Sequence, residues 1–142
     1  MKFVDGVVPE EFQPSDSEHI RYDVVYRFVK KIDFGCESFT PYVLDNPNAC
    51  KQFARQEKPE AGHFAVSLYD SIEHAIDALK KFKRLQNVTL GIAVGFTDFS
   101  KGISTERDAY TGHIDYFLYD WKNNTPAVDF EFQKKNEDLL CV

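Results

Sequence analysis

The sequence predicts an α+β fold: a twisted, mainly antiparallel sheet of five or six strands packed against one main helix at about 71–84. Three observations carry this reading. Short runs rich in Val, Ile, Phe and Tyr recur along the chain, bounded by Gly, Pro, Asn and Asp. One stretch alone shows a strong apolar stripe at helical spacing. The 142 residues are 43% hydrophobic and 28% charged, a balance that suits a single domain over 1–142. Thirteen Phe, seven Tyr and one Trp make that core aromatic, and no repeat or linker tract interrupts it.

Residues 1–20 read as an irregular arm, punctuated by Gly6, Pro9, Pro14 and Ser15-Asp16-Ser17. Over 22–31, Val24, Tyr26 and Phe28 alternate with Val25, Arg27 and Val29. Both faces are apolar apart from Arg27, which marks a central strand. The pattern is weakest over 33–62. There 39–44 reads as a short extended piece and Asn46-Pro47-Asn48 as a turn. Asn48 caps a helical turn or two over 49–55, and 58–62 is a loop.

Residues 64–69 predict the second strand. Asp70 then caps the helix, and Glu73 completes a pattern like a capping box. Ile72, Ala75, Ile76, Leu79 and Phe82 form one stripe. Acids lie at its start, and Lys80, Lys81, Lys83 and Arg84 at its end, the order a helix dipole favours. The third strand covers 88–96, where Gly91 and Gly95 mark a bulge or a close approach by another backbone or a ligand. A long polar loop follows over 97–111. Strands over 114–121 and 128–132 are expected to pair as a hairpin across Asn123-Asn124. Residues 134–142 form a frayed tail that docks through Leu139 and Leu140.

Seventeen cations against 23 anions give a net charge of −6, which disfavours general binding to nucleic acid or to anionic lipid. No run approaches the ~18 apolar residues of a membrane span. The first twenty residues lack a signal-peptide pattern, and Cys36, Cys50 and Cys141 have no disulfide-framework spacing. A cytoplasmic location with reduced thiols is expected. His19, His63, His74 and His113 show no metal-ligand spacing and read as solvated or hydrogen-bonded. No metal and no cofactor is predicted from the residues.

Candidate site residues come from polar interruptions of the strands. His113 and Asp115 share a strand face, a spacing that can orient an acid/base pair. Arg27, Ser67 and the Asp129/Glu131 pair interrupt three other strands. Convergence of these faces gives a cleft with an arginine, a serine, a histidine and carboxylates. Its catalytic candidates are Arg27, Ser67, His113 and Glu131. A buried Arg27 calls for a carboxylate, with Glu131 or Asp129 expected to supply it. Tyr110, Asp115, Tyr119 and Trp121 are binding candidates, the aromatic ones clustering with Tyr116 beside the long loop.

The order Arg27, Ser67, Glu131, with Asp129 two residues before the glutamate, resembles the Arg–Ser–Glu arrangement of mono-ADP-ribosyltransferase-like domains. That resemblance implies an NAD-using transferase in which Arg27 holds the NAD phosphates, Ser67 steadies the site and Glu131 stabilises the ribosyl cation. The residues alone point first to a non-catalytic binding or interaction module of accessory or inhibitor type. They also allow a small-molecule or nucleotide binder that uses the same cleft without chemistry.

Overall fold

The computed structural model describes residues 3, 8–45, 61–123 and 126–141. Six strands form one open, antiparallel sheet: β1 Val25–Val29, β2 Val66–Tyr69, β3 Gly91–Gly95, β4 Gly102–Ser104, β5 His113–Leu118 and β6 Phe130–Lys135. Their spatial order is β4-β5-β2-β1-β3-β6. The helices are α1 Tyr42–Asp45, α2 Ile72–Lys81, α3 Lys83–Val88 and α4 Asn136–Leu140.

The central place of β1 follows from its two apolar faces. Tyr26 and Phe28 share one face with Tyr69 and Ile92, and α2 covers it through Ala75, Ala78 and Leu79. Val25 and Val29 share the other with Val66, Leu68, Ala93, Ile114, Tyr116 and Leu118, closed by Phe39 and Phe130. Side chains of β1 therefore alternate between two cores, as period-two patterning requires.

Several elements depart from the sequence reading. The α2 cap is Ser71, whose hydroxyl accepts from the His74 amide at 3.2 Å. Asp70 is instead drawn to other partners, described below. α2 stops at Lys81 because Phe82 turns extended, at φ −110° and ψ 102°. Phe82 is 49% exposed, so no packing holds the stripe in register beyond Leu79. The chain resumes as α3, which takes Val88 out of the third strand.

Residues 97–111 contain β4, a strand hidden in a polar stretch. Its Ile103 pairs with Phe117 and is almost fully buried. This strand explains why the expected hairpin of β5 and β6 does not form. β4 takes one edge of β5 and β2 takes the other, so β6 pairs with β3. Ala127–Asp129 is a 3-10 turn, and β6 begins only at Phe130. The piece expected to be extended over 39–44 instead ends a 3-10 turn, Cys36–Phe39, and enters α1. Pro41 opens α1, its carbonyl accepting from the Leu44 and Asp45 amides. The turn over 46–48, the helical turns over 49–55 and most of the loop over 58–62 lie outside the described residues.

One expectation is met in detail and a second in part. A register shift falls between Ile92 and Ala93 of β3, and a Cβ on Gly91 or Gly95 would collide with the carbonyl oxygens of Lys134 or Asp129. The C-terminal segment docks through Leu139 as expected, but 134–142 is not a frayed tail: Lys134 and Lys135 end β6 and α4 follows, Leu139 buried against α2 and Asn136 donating to the Thr89 carbonyl and hydroxyl at 3.1 and 2.9 Å. Among the described residues, no helix is long and apolar enough to cross a membrane.

Candidate functional site

β1 and β2 meet at Tyr26↔Tyr69 and then part. Arg27 fills the wedge between them. Its Nε donates to the Ser38 carbonyl at 2.9 Å and its Nη1 to the Ser67 carbonyl at 3.0 Å. The guanidinium thus satisfies a β2 carbonyl facing the gap left by β1. Its carbon lies 5.8 Å from the Phe39 ring centroid. Among the described residues no carboxylate comes within ion-pair distance of it, and its partners are neutral oxygens.

Enclosure is the main reason the Arg27 guanidinium is pulled down to about 10, well below its ordinary range. Asp45 and Tyr69 oppose that shift without cancelling it. Asp45 is itself engaged, by Lys30 and, at 3.9 Å, by Arg84.

A cavity of about 670 Å³ opens at this wedge, lined both by residues of α2 and α3 and by Ser38, Thr40, Tyr42 and Asp45. Arg27, Phe28, Ser67, Tyr69, His74 and His113 are among its lining residues. Lys30, Lys81 and Arg84 add cations to its lining, Asp45, Asp77 and Asp108 add carboxylates, and Tyr110 and Thr111 also line it. The size falls within the usual range for small-molecule sites.

On β2 and β5, Ser67↔Asp115 and Tyr69↔His113 are register pairs, which makes Ser67 and His113 diagonal neighbours on one face. His113 Nε2 lies 2.8 Å from Ser67 Oγ and 3.7 Å from Asp115 Oδ1. The Tyr69 ring meets the imidazole edge-on at 5.8 Å between centroids.

A second histidine lies in the same cavity. His74 Nδ1 is 2.6 Å from Asp70 Oδ1, and Arg107 Nη1 donates to Asp70 Oδ2 at 3.0 Å. The sequence reading had His74 solvated or hydrogen-bonded, and its contact with Asp70 meets the second of these; the sequence reading did not name that partner. The available signal was its i, i+4 spacing from Asp70 at the start of a helix. Gly112, just before His113, has φ 69°, and a Cβ there would fall inside contact of both Asp70 and His74.

Arg27, Ser67 and His113 therefore come together, because β1, β2 and β5 are consecutive in the sheet. Glu131 does not join them. It sits exposed on edge strand β6, beyond β3, and does not line the cavity. Asp129 pairs with Lys101 at 2.6 Å. The carboxylate partner expected for Arg27 is thus supplied by neither acid, and the Arg–Ser–Glu triad is not assembled.

The aromatic binding candidates also separate. Tyr110 is 91% exposed. Tyr119 is buried, its ring 5.0 Å from that of Phe3, and Trp121 packs against the core. Tyr116 is fully buried, its hydroxyl donating to the Asp98 carbonyl at 3.2 Å. Strands on both edges of β5 and cores on both its faces draw these rings inward. Asp115 remains beside His113. Among the described residues no group of three or more His, Cys, Asp or Glu is placed to hold a metal ion. Neither family models, nor curated proteins, nor solved structures match this chain.

Proposed function

We propose that this chain is a binding module for a small anionic ligand, with the ligand's carboxylate or phosphate on Arg27 and its apolar body against Phe28, Tyr69 and Leu85. One observation carries the reading: an enclosed guanidinium in a cavity wall, bonded to two carbonyl oxygens and, among the described residues, to no carboxylate. Desolvation makes holding that charge in the wedge costly. A ligand anion offsets that cost. The planar fork of arginine suits carboxylate and phosphate oxygens, and Ser67 and His113 offer further polar contacts at the same wall. Arg27, Lys30, Lys81 and Arg84 face Asp45, Asp77 and Asp108 in the cavity lining, so the wall carries four fixed cations against three carboxylates in a chain whose net charge is −6.

The test is a thermal-shift and titration-calorimetry panel of inorganic phosphate, succinate, AMP and NAD. NAD belongs in the panel because of the Arg–Ser–Glu resemblance, although Glu131 stands apart from this cavity. The wild-type protein should be stabilised by at least one anion, by about 2.7 kcal/mol when the ligand is at 100 times its Kd. Arg27→Gln should lose that response and Arg27→Lys keep part of it. An equal response in wild type and Arg27→Gln, or none to any anion, overturns the reading.

A further inference from the structure

We propose that Ser67 is a nucleophile activated by His113, and that the cavity hydrolyses carboxylic esters bearing a second, anionic group. The choice of substrate class rests on the anion reading above; the assignment of nucleophile and base does not. Its ground is geometric. Ser67 Oγ and His113 Nε2 are 2.8 Å apart, on one sheet face, in the wall of a cavity large enough for a substrate. A hydroxyl and an imidazole at that distance can pass a proton directly.

The surroundings favour a positive charge on the imidazole once it has taken that proton. Asp115 Oδ1 lies 3.7 Å from His113 Nε2, close enough to pair with an imidazolium formed there. Asp115 does not need to move a proton to do this. Arg27, in the same cavity wall, is placed to hold the substrate's distant carboxylate, which fixes the ester relative to Ser67.

In the first step the Ser67 hydroxyl proton passes to His113 Nε2 as Oγ bonds to the acyl carbon. The carbonyl π pair moves onto its oxygen. When that pair returns, the bond from carbon to the alcohol oxygen breaks, and the leaving oxygen takes the proton from Nε2. Water, losing a proton to the same Nε2, then attacks the acyl-serine. The bond between carbon and Oγ breaks, and Oγ recovers the proton. Ester and water become acid and alcohol, with nothing oxidised or reduced.

The test uses the intact protein and a fluorophosphonate probe, with the adduct located by peptide mass spectrometry on the wild type, so that it depends on no variant folding. A single adduct on Ser67 is expected. Mono-4-nitrophenyl glutarate should be hydrolysed about tenfold faster than 4-nitrophenyl acetate. Ser67→Ala and His113→Gln should each lower hydrolysis by about 100-fold or more. Arg27→Gln should abolish the preference for the glutarate ester. Absence of an adduct on Ser67, or wild-type hydrolysis by Ser67→Ala, overturns the nucleophile. An adduct without any preference for the anionic ester supports the nucleophile and overturns the substrate class. Anion binding without an adduct leaves the binding module standing and removes the chemistry.

Discussion

Gly112 shows how much one absent side chain can hold in place. Its φ of 69° is costly for any residue with a Cβ, and the space a Cβ needs is filled by Asp70 and His74. Gly112→Ala must strain the backbone and push the Asp70–His74 contact apart. Urea denaturation should show a loss of about 2 kcal/mol or more, larger than the ~1 kcal/mol expected when Asp70→Asn weakens the same contact. A Gly112→Ala protein as stable as wild type would show that this end of the cavity is not tightly built. Legibility in the sequence differs between neighbours here. Arg27 and Ser67 stand out because each interrupts an apolar strand. His74 does not, because Arg107 and Gly112, which complete its surroundings with Asp70, lie more than thirty residues along the chain.

Among the elements, α2 was the plainest in the sequence, and its packing is equally plain. Leu79 is fully buried between Phe28, Tyr69 and Ile92, while Phe82, the last member of the same stripe, is 49% exposed. Leu79→Ala should cost about 3 kcal/mol through lost burial and a residual cavity. Phe82→Ala should cost less than ~1 kcal/mol, despite the larger ring, and paired urea midpoints measure both. Similar losses at the two positions would mean that the helix continues through Phe82 in solution. β1, β2 and β3 were legible because their apolar runs are long enough to set a period. β4 was not, since Gly102, Ile103 and Ser104 offer one apolar residue and no alternation. That omission propagated: without β4, β5 seemed to have a free edge, and the false hairpin with β6 followed.

For the whole molecule, the aromatic core makes a pH signature. Burial is the leading cause that raises the ionisation of Tyr69, Tyr116 and Tyr119, while hydrogen bonding to Asp98 partly opposes it at Tyr116. A phenol whose folded value lies above its unfolded one stabilises the fold fully below the unfolded value, about pH 10, and this contribution fades as pH rises through the folded value. The melting temperature should therefore fall steeply above about pH 10, with phenolate absorbance appearing together with unfolding. Tyr116→Phe should remove part of that fall at the cost of ~1 kcal/mol near neutrality, for its lost bond to Asp98. Free ionisation of all seven tyrosines before any unfolding would contradict the burial described here.

The fold class and the meeting of Arg27, Ser67 and His113 were within reach of the sequence; the place of Glu131 was not, because residue order along a chain does not fix strand order across a sheet. That order also gives the molecule a seam. Three strands, β4, β5 and β2, lie on one side of the wedge and three, β1, β3 and β6, on the other; at the seam the strands themselves meet at the Tyr26↔Tyr69 pair and through the reach of Arg27, while the two cores pack across it. A guest lodged there would touch strands on both sides of the seam and add its own contacts to those that close it.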